Sequence, residues 1–96
     1  MSGVRDYTGW IVRSEAGRDK GGLLCVVGMD RERKRMLLAD GKRRKLARPK
    51  AKQIVHVTQI TGDFDCPAIR RLRRGEPLSD KELRRALAAF RDEMEA

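Results

Sequence analysis

The sequence is poor in the residue types from which catalytic and metal sites are built. It contains a single histidine, His56, and two cysteines, Cys25 and Cys66, without the paired spacing of a zinc site. We find no serine or cysteine nucleophile with a plausible base and no isolated carboxylate pair in an apolar run. We therefore expect no enzymatic activity, no metal, no cofactor and no small-molecule substrate.

Long apolar segments are also absent. The longest unbroken apolar run spans only residues 23–27, whereas a transmembrane helix needs about 20 apolar residues. The first residues lack the apolar stretch of a secretory signal, and the cysteine usage fits a reducing compartment, with a disulfide or a reactive thiol as the alternative. We expect a cytoplasmic protein that does not associate with a membrane.

Positive charge, by contrast, is in excess. Charged residues make up 39% of the 96-residue chain, and 23 lysines and arginines outnumber 14 acidic residues, which gives a net charge of +9. Residues 1–62 hold 15 basic and 6 acidic side chains, whereas residues 63–96 hold 8 of each. This asymmetry predicts one basic face that binds a polyanion and an electrically balanced appendage, with solubility alone as the alternative.

Short strands are predicted for the first part of the chain, because β-branched, aromatic and apolar residues alternate there with turn residues. The predicted strands are residues 9–14, 23–29, 36–39, 42–48 and 54–58. The Asp40-Gly41 dipeptide favours a two-residue hairpin turn, and Pro49 ends the strand that returns from it. We expect residues 1–62 to form a small five-stranded β-barrel.

A short helix is predicted after the apolar period changes from two to about 3.6 residues. We expect Asp65 to cap this helix over residues 66–74, with Pro67 in its first turn and Gly75 as its end.

A second helix is predicted to begin at a capping box in which Ser79 and Glu82 bond reciprocally, with Leu78 packing on Leu83 as a hydrophobic staple. Its apolar stripe consists of Leu83, Leu87, Phe90 and Met94. This stripe needs a surface to pack on. We therefore expect residues 63–96 to form a helical hairpin docked on the barrel, which gives an α+β, mainly β, fold.

A glycine-rich segment joins the first two predicted strands. Residues 16–22 place three glycines around Arg18, Asp19 and Lys20, so that a phosphate can approach the backbone and meet the two cations. The segment is not a nucleotide-binding P-loop, because no Lys-Ser or Lys-Thr pair follows the glycines. An ordinary turn is the alternative.

Read together, these segments resemble the KOW motif of ribosomal and transcription-associated proteins. Apolar residues alternate around a central glycine, with Ile11 or Val12, Gly17, Lys20-Gly21 and the run at residues 24–27 in that order. The ordered segments RSEAGRDKG, LLADGKRRKL, RPKAK and IVHV are similar to the bacterial KOW-domain RNA-binding proteins, which are themselves similar to a large-subunit ribosomal protein family of archaea and eukaryotes. The resemblance covers about residues 7–60.

The resemblance implies an SH3-like β-barrel that binds RNA, with the loop around Gly17 among its contact elements. Independently of it, basic clusters recur on consecutive connections, which favours phosphate contact over a role as solvated strand ends. The candidate RNA-binding residues are Arg13, Gly17, Arg18, Lys20, Gly21, Arg33, Lys34, Arg35, Lys42, Arg43, Arg44, Lys45, Arg48, Lys50 and Lys52.

Aromatic residues are scarce, at 4% of the chain, so we expect recognition of RNA shape and backbone more than of bases. Phe90 and Trp10 are expected in the core, which leaves Tyr7 and Phe64 as candidates for base stacking. The arginines at 70, 71, 73 and 74 either extend the basic face or pair with neighbouring acids. His56 is expected to be structural or a minor RNA contact.

These observations lead to a non-catalytic RNA-binding protein whose partner is ribosomal RNA or a ribosomal subunit, as the resemblance implies. The rival is a protein-interaction adaptor in transcription or translation, which would use the stripe of the C-terminal helix to bind a protein. Both are interpretations of the sequence alone.

Overall fold

The computed structural model describes residues 5–14, 22–54 and 57–95. The strands lie in the first two thirds of the chain and the helices lie in the last third. The elements are β1 (Ile11–Ser14), β2 (Leu23–Asp30), β3 (Arg35–Ala39), β4 (Lys50–Lys52), β5 (Val57–Thr61), α1 (Pro67–Arg73) and α2 (Asp80–Glu95).

The strands form one antiparallel sheet in the order β4-β3-β2-β1-β5. The register shifts between Ile11 and Val12 on β1 and between Val26 and Gly28 on β2. Such irregularities bend a strand and increase its twist, so the sheet curls. The expected α+β class is confirmed, with a curled antiparallel sheet and a C-terminal helix.

Both faces of the sheet are covered, because successive side chains of a strand point to opposite faces. Toward the inside of the curl lies the inner core, formed by Val12, Leu24, Val26, Met36 and Leu38. Toward the helices lies the helix-side core, formed by Ile11, Cys25, Ala39, Phe64, Ile69, Leu72, Leu83, Leu87 and Phe90. Burial in this second core raises the pKa of the Cys25 thiol to about 12.

The second helix begins as the sequence predicts. The amide of Glu82 donates to Ser79 Oγ and the amide of Ser79 donates to Glu82 Oε1, each at 3.1 Å, so the predicted capping box is confirmed. Leu83, Leu87 and Phe90 of the stripe are buried on the sheet. The inclusion of Met94 in the buried stripe is wrong, because its side chain is 49% exposed near the end of the helix.

The first helix differs from the prediction at its start. Cys66 is the N-cap residue and forms no side-chain capping bond, whereas Asp65 accepts two hydrogen bonds from the Arg70 guanidinium at 2.7 and 2.8 Å. The predicted Asp65 cap is therefore wrong, because the arginine competes for the same carboxylate. Pro67 lies in the first turn and Gly75, at φ 76°, follows the last turn, both as expected.

The strand predicted over residues 42–48 is also wrong. The Asp40 carboxylate accepts amide hydrogens from Lys42 and Arg44, and the Arg44 carbonyl accepts those of Asp40 and Gly41. These local hydrogen bonds use backbone amide and carbonyl groups that would otherwise pair with a neighbouring β-strand. The strand that pairs with β3 is therefore β4, which begins directly after Pro49, the residue predicted to end the strand.

The last strand starts later than the predicted range of 54–58. β5 pairs with β1 from Val57 opposite Ser14 to Thr61 opposite Ile11. Ile54 precedes the strand and packs against the inner core. Among the described residues, no helix combines the length and apolar character needed to cross a bilayer.

Gly41→Ala is expected to destabilise the protein by about 2 to 4 kcal/mol. Gly41 has φ 78°, and a Cβ there would stand 2.3 Å from the Asp80 carbonyl oxygen. Gly75→Ala is the matched control, because Gly75 has φ 76° but open space around it, and should cost only about 1 kcal/mol. Urea denaturation measures both, and equal losses would show that contact with α2 does not restrict this position.

Glu82→Gln is expected to flatten the dependence of stability on pH. The hydrogen bond from the Ser79 amide, followed by that from Arg71, lowers the pKa of Glu82 below its ordinary value of 4.5. The carboxylate therefore stabilises the fold above its unfolded pKa, and this contribution is lost as pH falls through the lower folded pKa. Urea midpoints at about pH 6 and pH 3 should differ more in the native protein than in the variant, and identical differences would contradict this role.

Candidate nucleic-acid interface

The register of the sheet brings the end of β1, the start of β2 and the end of β3 to the same end of the sheet. Arg13 near the end of β1 pairs with Leu23 at the start of β2, and Ala39 at the end of β3 pairs with Cys25. The residues that flank positions 15–21 therefore lie at the end of the sheet from which residues 40–49 leave. We call this the basic end. The candidates Gly17, Arg18, Lys20 and Gly21, and also His56, lie outside the described residues.

Residues 40–49, called the basic loop, hold a defined shape through their own backbone. Asp40 Oδ1 accepts the amide hydrogens of Lys42 at 2.8 Å and Arg44 at 2.9 Å. The amides of Asp40 and Gly41 donate to the Arg44 carbonyl at 2.9 and 3.1 Å, and the amide of Arg48 donates to the Lys45 carbonyl at 2.9 Å. The Asp40 carboxylate therefore holds the backbone of the loop in place.

Two contacts fix the basic loop to the first turns of α2. The amide of Leu46 donates to Asp80 Oδ1 at 2.8 Å, and Arg84 Nη1 donates to the Gly41 carbonyl at 2.6 Å. Leu46 also packs against the helix-side core. The position of the loop is therefore set by the helix as well as by the sheet, which reduces the conformational entropy that a ligand would have to restrict.

The cations of the basic loop surround an open cavity of about 330 Å³. Arg43, Lys45 and Arg48 are exposed and Arg44 is half-buried. In the described part of the chain, no ion pair involves Arg43, Lys45 or Arg48. Arginine presents a planar fork that matches a phosphate in two-point contacts, so this cavity suits the oxygens of a phosphodiester chain.

The helix α2 adds two arginines to the basic end that the sequence analysis did not single out. Arg84 and Arg91 line a cavity of about 150 Å³ together with Lys42, Asp40, Leu23 and Leu87. They lie one position to the C-terminal side of Leu83 and Phe90, so they flank the buried stripe. Their spacing along the helix was visible in the sequence, but only docking on the sheet reveals that they continue the basic loop.

Arg13 lies on the side of the sheet that α2 covers. It lines a cavity of about 350 Å³ with Arg91, Met94 and Glu95 of α2. Its Nε is buried, and no hydrogen-bond partner for this atom is present among the described residues.

The two lysines of β4 point toward the inside of the curl, since Lys50 pairs with Leu38 and Lys52 with Met36. Lys52 Nζ donates to the buried Ser14 Oγ at 2.8 Å. This bond joins β4 to β1 across the curl, so Lys52 has a structural role that the prediction of an RNA contact did not include.

A second group of candidates lies at the opposite end of the sheet. Arg33 and Lys34 belong to the turn between β2 and β3, and Arg35 begins β3. Arg33 pairs with Asp30 at 3.7 Å, and Lys34 has the left-handed φ of 55°. β3 separates this turn from the basic loop by about 15 Å, at ~3.3 Å per residue. The structure thus separates Arg33, Lys34 and Arg35 from the cations of the basic loop.

The aromatic residues divide between the core and this second end. Phe64 is buried and stacks edge-on against Phe90 with ring centroids 5.1 Å apart, so the expectation that it stacks on bases is wrong. Trp10 packs against the inner core, as expected, but remains half-buried, and Tyr7 meets it edge-on at 5.3 Å. Only Tyr7 therefore keeps the role of a candidate for stacking.

Three of the four arginines in and just after α1 pair with acids of the molecule. Arg70 bonds Asp65, which lowers the pKa of that carboxyl. Arg71 bonds Glu82, and Arg74 bonds Glu76 at 2.6 Å. Of the two predicted alternatives, pairing with neighbouring acids therefore fits Arg70, Arg71 and Arg74, whereas Arg73 donates to the Gly62 carbonyl at 2.9 Å. Within the described ranges, no group of three or more histidine, cysteine or acidic side chains could hold a metal ion.

Asp80→Ala is expected to loosen the basic loop. The Leu46 amide would lose its charged acceptor, a bond worth about 1.5 kcal/mol, so its hydrogen exchange should become roughly tenfold faster. Asp80→Asn retains an acceptor oxygen and should have a smaller effect, whereas Asp92→Ala, at an exposed position of α2, should have none. Exchange measured by NMR checks these values, and an unchanged Leu46 amide in Asp80→Ala would show that the helix does not restrain the loop.

Comparison with known proteins identifies no family or relative for this chain, since no protein-family model and no curated protein matches it. The arguments for a function therefore start from the residues of the basic end and of the turn at the opposite end.

Proposed function

We propose that this protein is a non-catalytic RNA-binding protein of the cytoplasm that contacts ribosomal RNA or a ribosomal subunit. RNA backbone would bind at the basic end, with Arg43, Arg44, Lys45 and Arg48 as its principal contacts. Lys42, Arg84 and Arg91 would extend the contact along α2. The proposal includes no membrane, no small-molecule substrate and no cofactor.

The observation that carries the proposal is the restrained shape of the basic loop. Asp40 is satisfied by backbone amides, and Asp80 and Arg84 fix the loop to α2. The neighbouring side chains remain directed around an open cavity without an ion pair among the described residues at Arg43, Lys45 or Arg48. A set of like charges held together is unfavourable by itself, and a polyanion relieves that repulsion while releasing its own counterions.

The proposal extends to the finer description of the fold, an SH3-like β-barrel of the KOW type followed by a C-terminal helical hairpin. The strand order, in which β5 lies beside β1, supports it. So does the inner core, which a barrel would enclose, and the bond between Lys52 and Ser14 that bridges the curl. The resemblance of residues 7–60 to KOW proteins supplies the remaining argument for RNA as the polyanion.

The rival function, a protein adaptor that uses the apolar stripe of α2, is less compatible with the geometry. Leu83, Leu87 and Phe90 are buried on the sheet. A protein that bound this stripe would have to displace the sheet and expose the helix-side core, which costs the burial of several large side chains. Of the stripe predicted from the sequence, Met94 is the exposed residue.

Arg43→Glu combined with Arg48→Glu is expected to weaken binding to structured ribosomal RNA by about tenfold to a hundredfold, because charge-assisted contacts are lost. The slope of log affinity against log salt concentration should also decrease in magnitude by about 1.5, since each phosphate contact contributes about 0.7 to 0.9. Fluorescence anisotropy at several salt concentrations measures both quantities.

The matched control is Lys81→Glu combined with Arg85→Glu, which changes the net charge equally at exposed positions of α2. Its affinity should decrease much less, and both double variants should keep the native melting temperature. Equal losses of affinity in the two variants would show that binding depends only on the net charge of the protein. Crosslinking in cells followed by sequencing of the attached RNA then tests the ribosomal partner, and scattered messenger RNA sites would contradict it.

A further inference from the structure

A fourth cavity, of about 260 Å³, opens at the end of the sheet opposite the basic end. We call it the aromatic pocket. Its walls are apolar and its rim is cationic. It is lined by Arg5, Tyr7, Met29, Lys34, Met36 and Ile54.

The walls of the aromatic pocket continue the inner core outward. Met36 is buried, whereas Tyr7, Met29 and Ile54 are half-buried and pack against the inner core. Apolar surface therefore remains accessible within the opening. The size fits a single planar ring, since it is below the 300 to 1,000 Å³ or so typical of sites for larger ligands.

Tyr7 is held in place by its neighbours. Its ring meets that of Trp10 at an interplanar angle of 78°, and Trp10 in turn lies against Gly62, where a Cβ would stand 2.3 Å from the indole. The Arg5 guanidinium lies over both rings, 5.4 Å from the Tyr7 centroid and 5.3 Å from the Trp10 centroid. A ring and a guanidinium plane fixed at the mouth of an apolar opening are the elements on which an unpaired base stacks.

The charge at the rim selects the class of ligand. Arg5 and Lys34 are both exposed cations. Two of the nearby acids have partners, because Asp6 accepts the Thr8 amide at 2.9 Å and pairs with Arg31 at 3.8 Å, while Asp30 pairs with Arg33. The third, Glu32, is exposed in a turn that also holds Arg31, Arg33 and Lys34, so positive charge remains in excess there. A methylated ammonium group or a basic peptide would meet repulsion here, whereas a flat apolar ring joined to negative charges would not.

We propose that the aromatic pocket binds one unpaired base of single-stranded RNA, with Tyr7 and Arg5 stacking on the base and Arg5 and Lys34 contacting the phosphates beside it. This inference rests on the proposed function, and it adds base contact to the recognition of backbone at the basic end. The ligand is therefore RNA in which a single strand or loop lies next to a structured region.

Trp10 is the only tryptophan of the chain and contacts Tyr7 and Arg5 of the aromatic pocket, so its fluorescence reports on changes at these two residues. The probe is hexauridylate, whose bases stack weakly on one another. Its control is an abasic ribose-phosphate hexamer with the same charge. Hexauridylate is expected to change the Trp10 emission, whereas the abasic hexamer should bind the basic end without that change.

Tyr7→Leu is expected to weaken hexauridylate binding by about 5-fold to 100-fold, the range for loss of one aromatic stacking partner. Its affinity for a blunt RNA duplex should stay within about twofold of the native value, because the duplex offers backbone but no unpaired base. Arg5→Gln and Lys34→Gly provide variants at exposed positions that do not open the core. Glycine also suits the left-handed backbone at residue 34.

The variants separate failure of this inference from failure of the proposed function. If Arg43→Glu with Arg48→Glu weakens both RNAs while Tyr7→Leu, Arg5→Gln and Lys34→Gly weaken neither, RNA binding stands and the aromatic pocket does not hold a base. If the native protein binds neither RNA, both proposals are wrong. A response of Trp10 to a proline-rich peptide, with none to hexauridylate, would likewise overturn the base pocket.

Discussion

The structure depends on the packing of α2 against one face of a curled sheet. A curled sheet that buries only its inner face would leave the other face in water, where Ile11 and Leu23 would expose apolar surface. α2 covers that face with Leu83, Leu87 and Phe90. The small side chains of Cys25 and Ala39 lie in the same core as these three residues. The hydrophobic effect thus joins the helix and the sheet into a single structure.

This packing also determines where charge is displayed. The same helix that covers the sheet accepts the Leu46 amide through Asp80 and bonds the Gly41 carbonyl through Arg84. The basic loop is therefore positioned by residues that are distant in the sequence. Repulsion among its cations would favour an extended, mobile segment, and the contacts with α2 oppose that tendency. The stability of the core and the geometry of the proposed RNA contact have a common origin.

Features set by neighbouring residues could be predicted from the sequence, and features set by distant residues could not. The capping box at Ser79 needs only four consecutive residues, and the apolar period locates the buried face of α2 as far as Phe90. Residues 42–48 were predicted to form a strand because the alternative bonds of Asp40 give no periodic signal. The burial of Phe64 depends on its contact with Phe90, far along the chain.

The candidate site shows the same division between local and distant information. The basic composition of residues 42–48 is evident from the sequence, but the separation of Lys34 from that loop follows from strand register. Arg5 gave no signal, since a single arginine near the start of a basic chain is unremarkable until its guanidinium is found over two rings. Strand pairing and ring packing, rather than composition, bring these residues into their sites.

Because Cys25 is fully buried, its reactivity reports on the separation of α2 from the sheet. A thiol with a pKa of about 12 is almost entirely protonated at neutral pH, and the protonated form does not react with alkylating reagents. Cys25 lies beneath α2 in the helix-side core, so a reagent reaches it only when the helix lifts from the sheet. If the other cysteine, Cys66, is replaced by serine, the rate at which Cys25 is alkylated would measure how often α2 separates from the sheet.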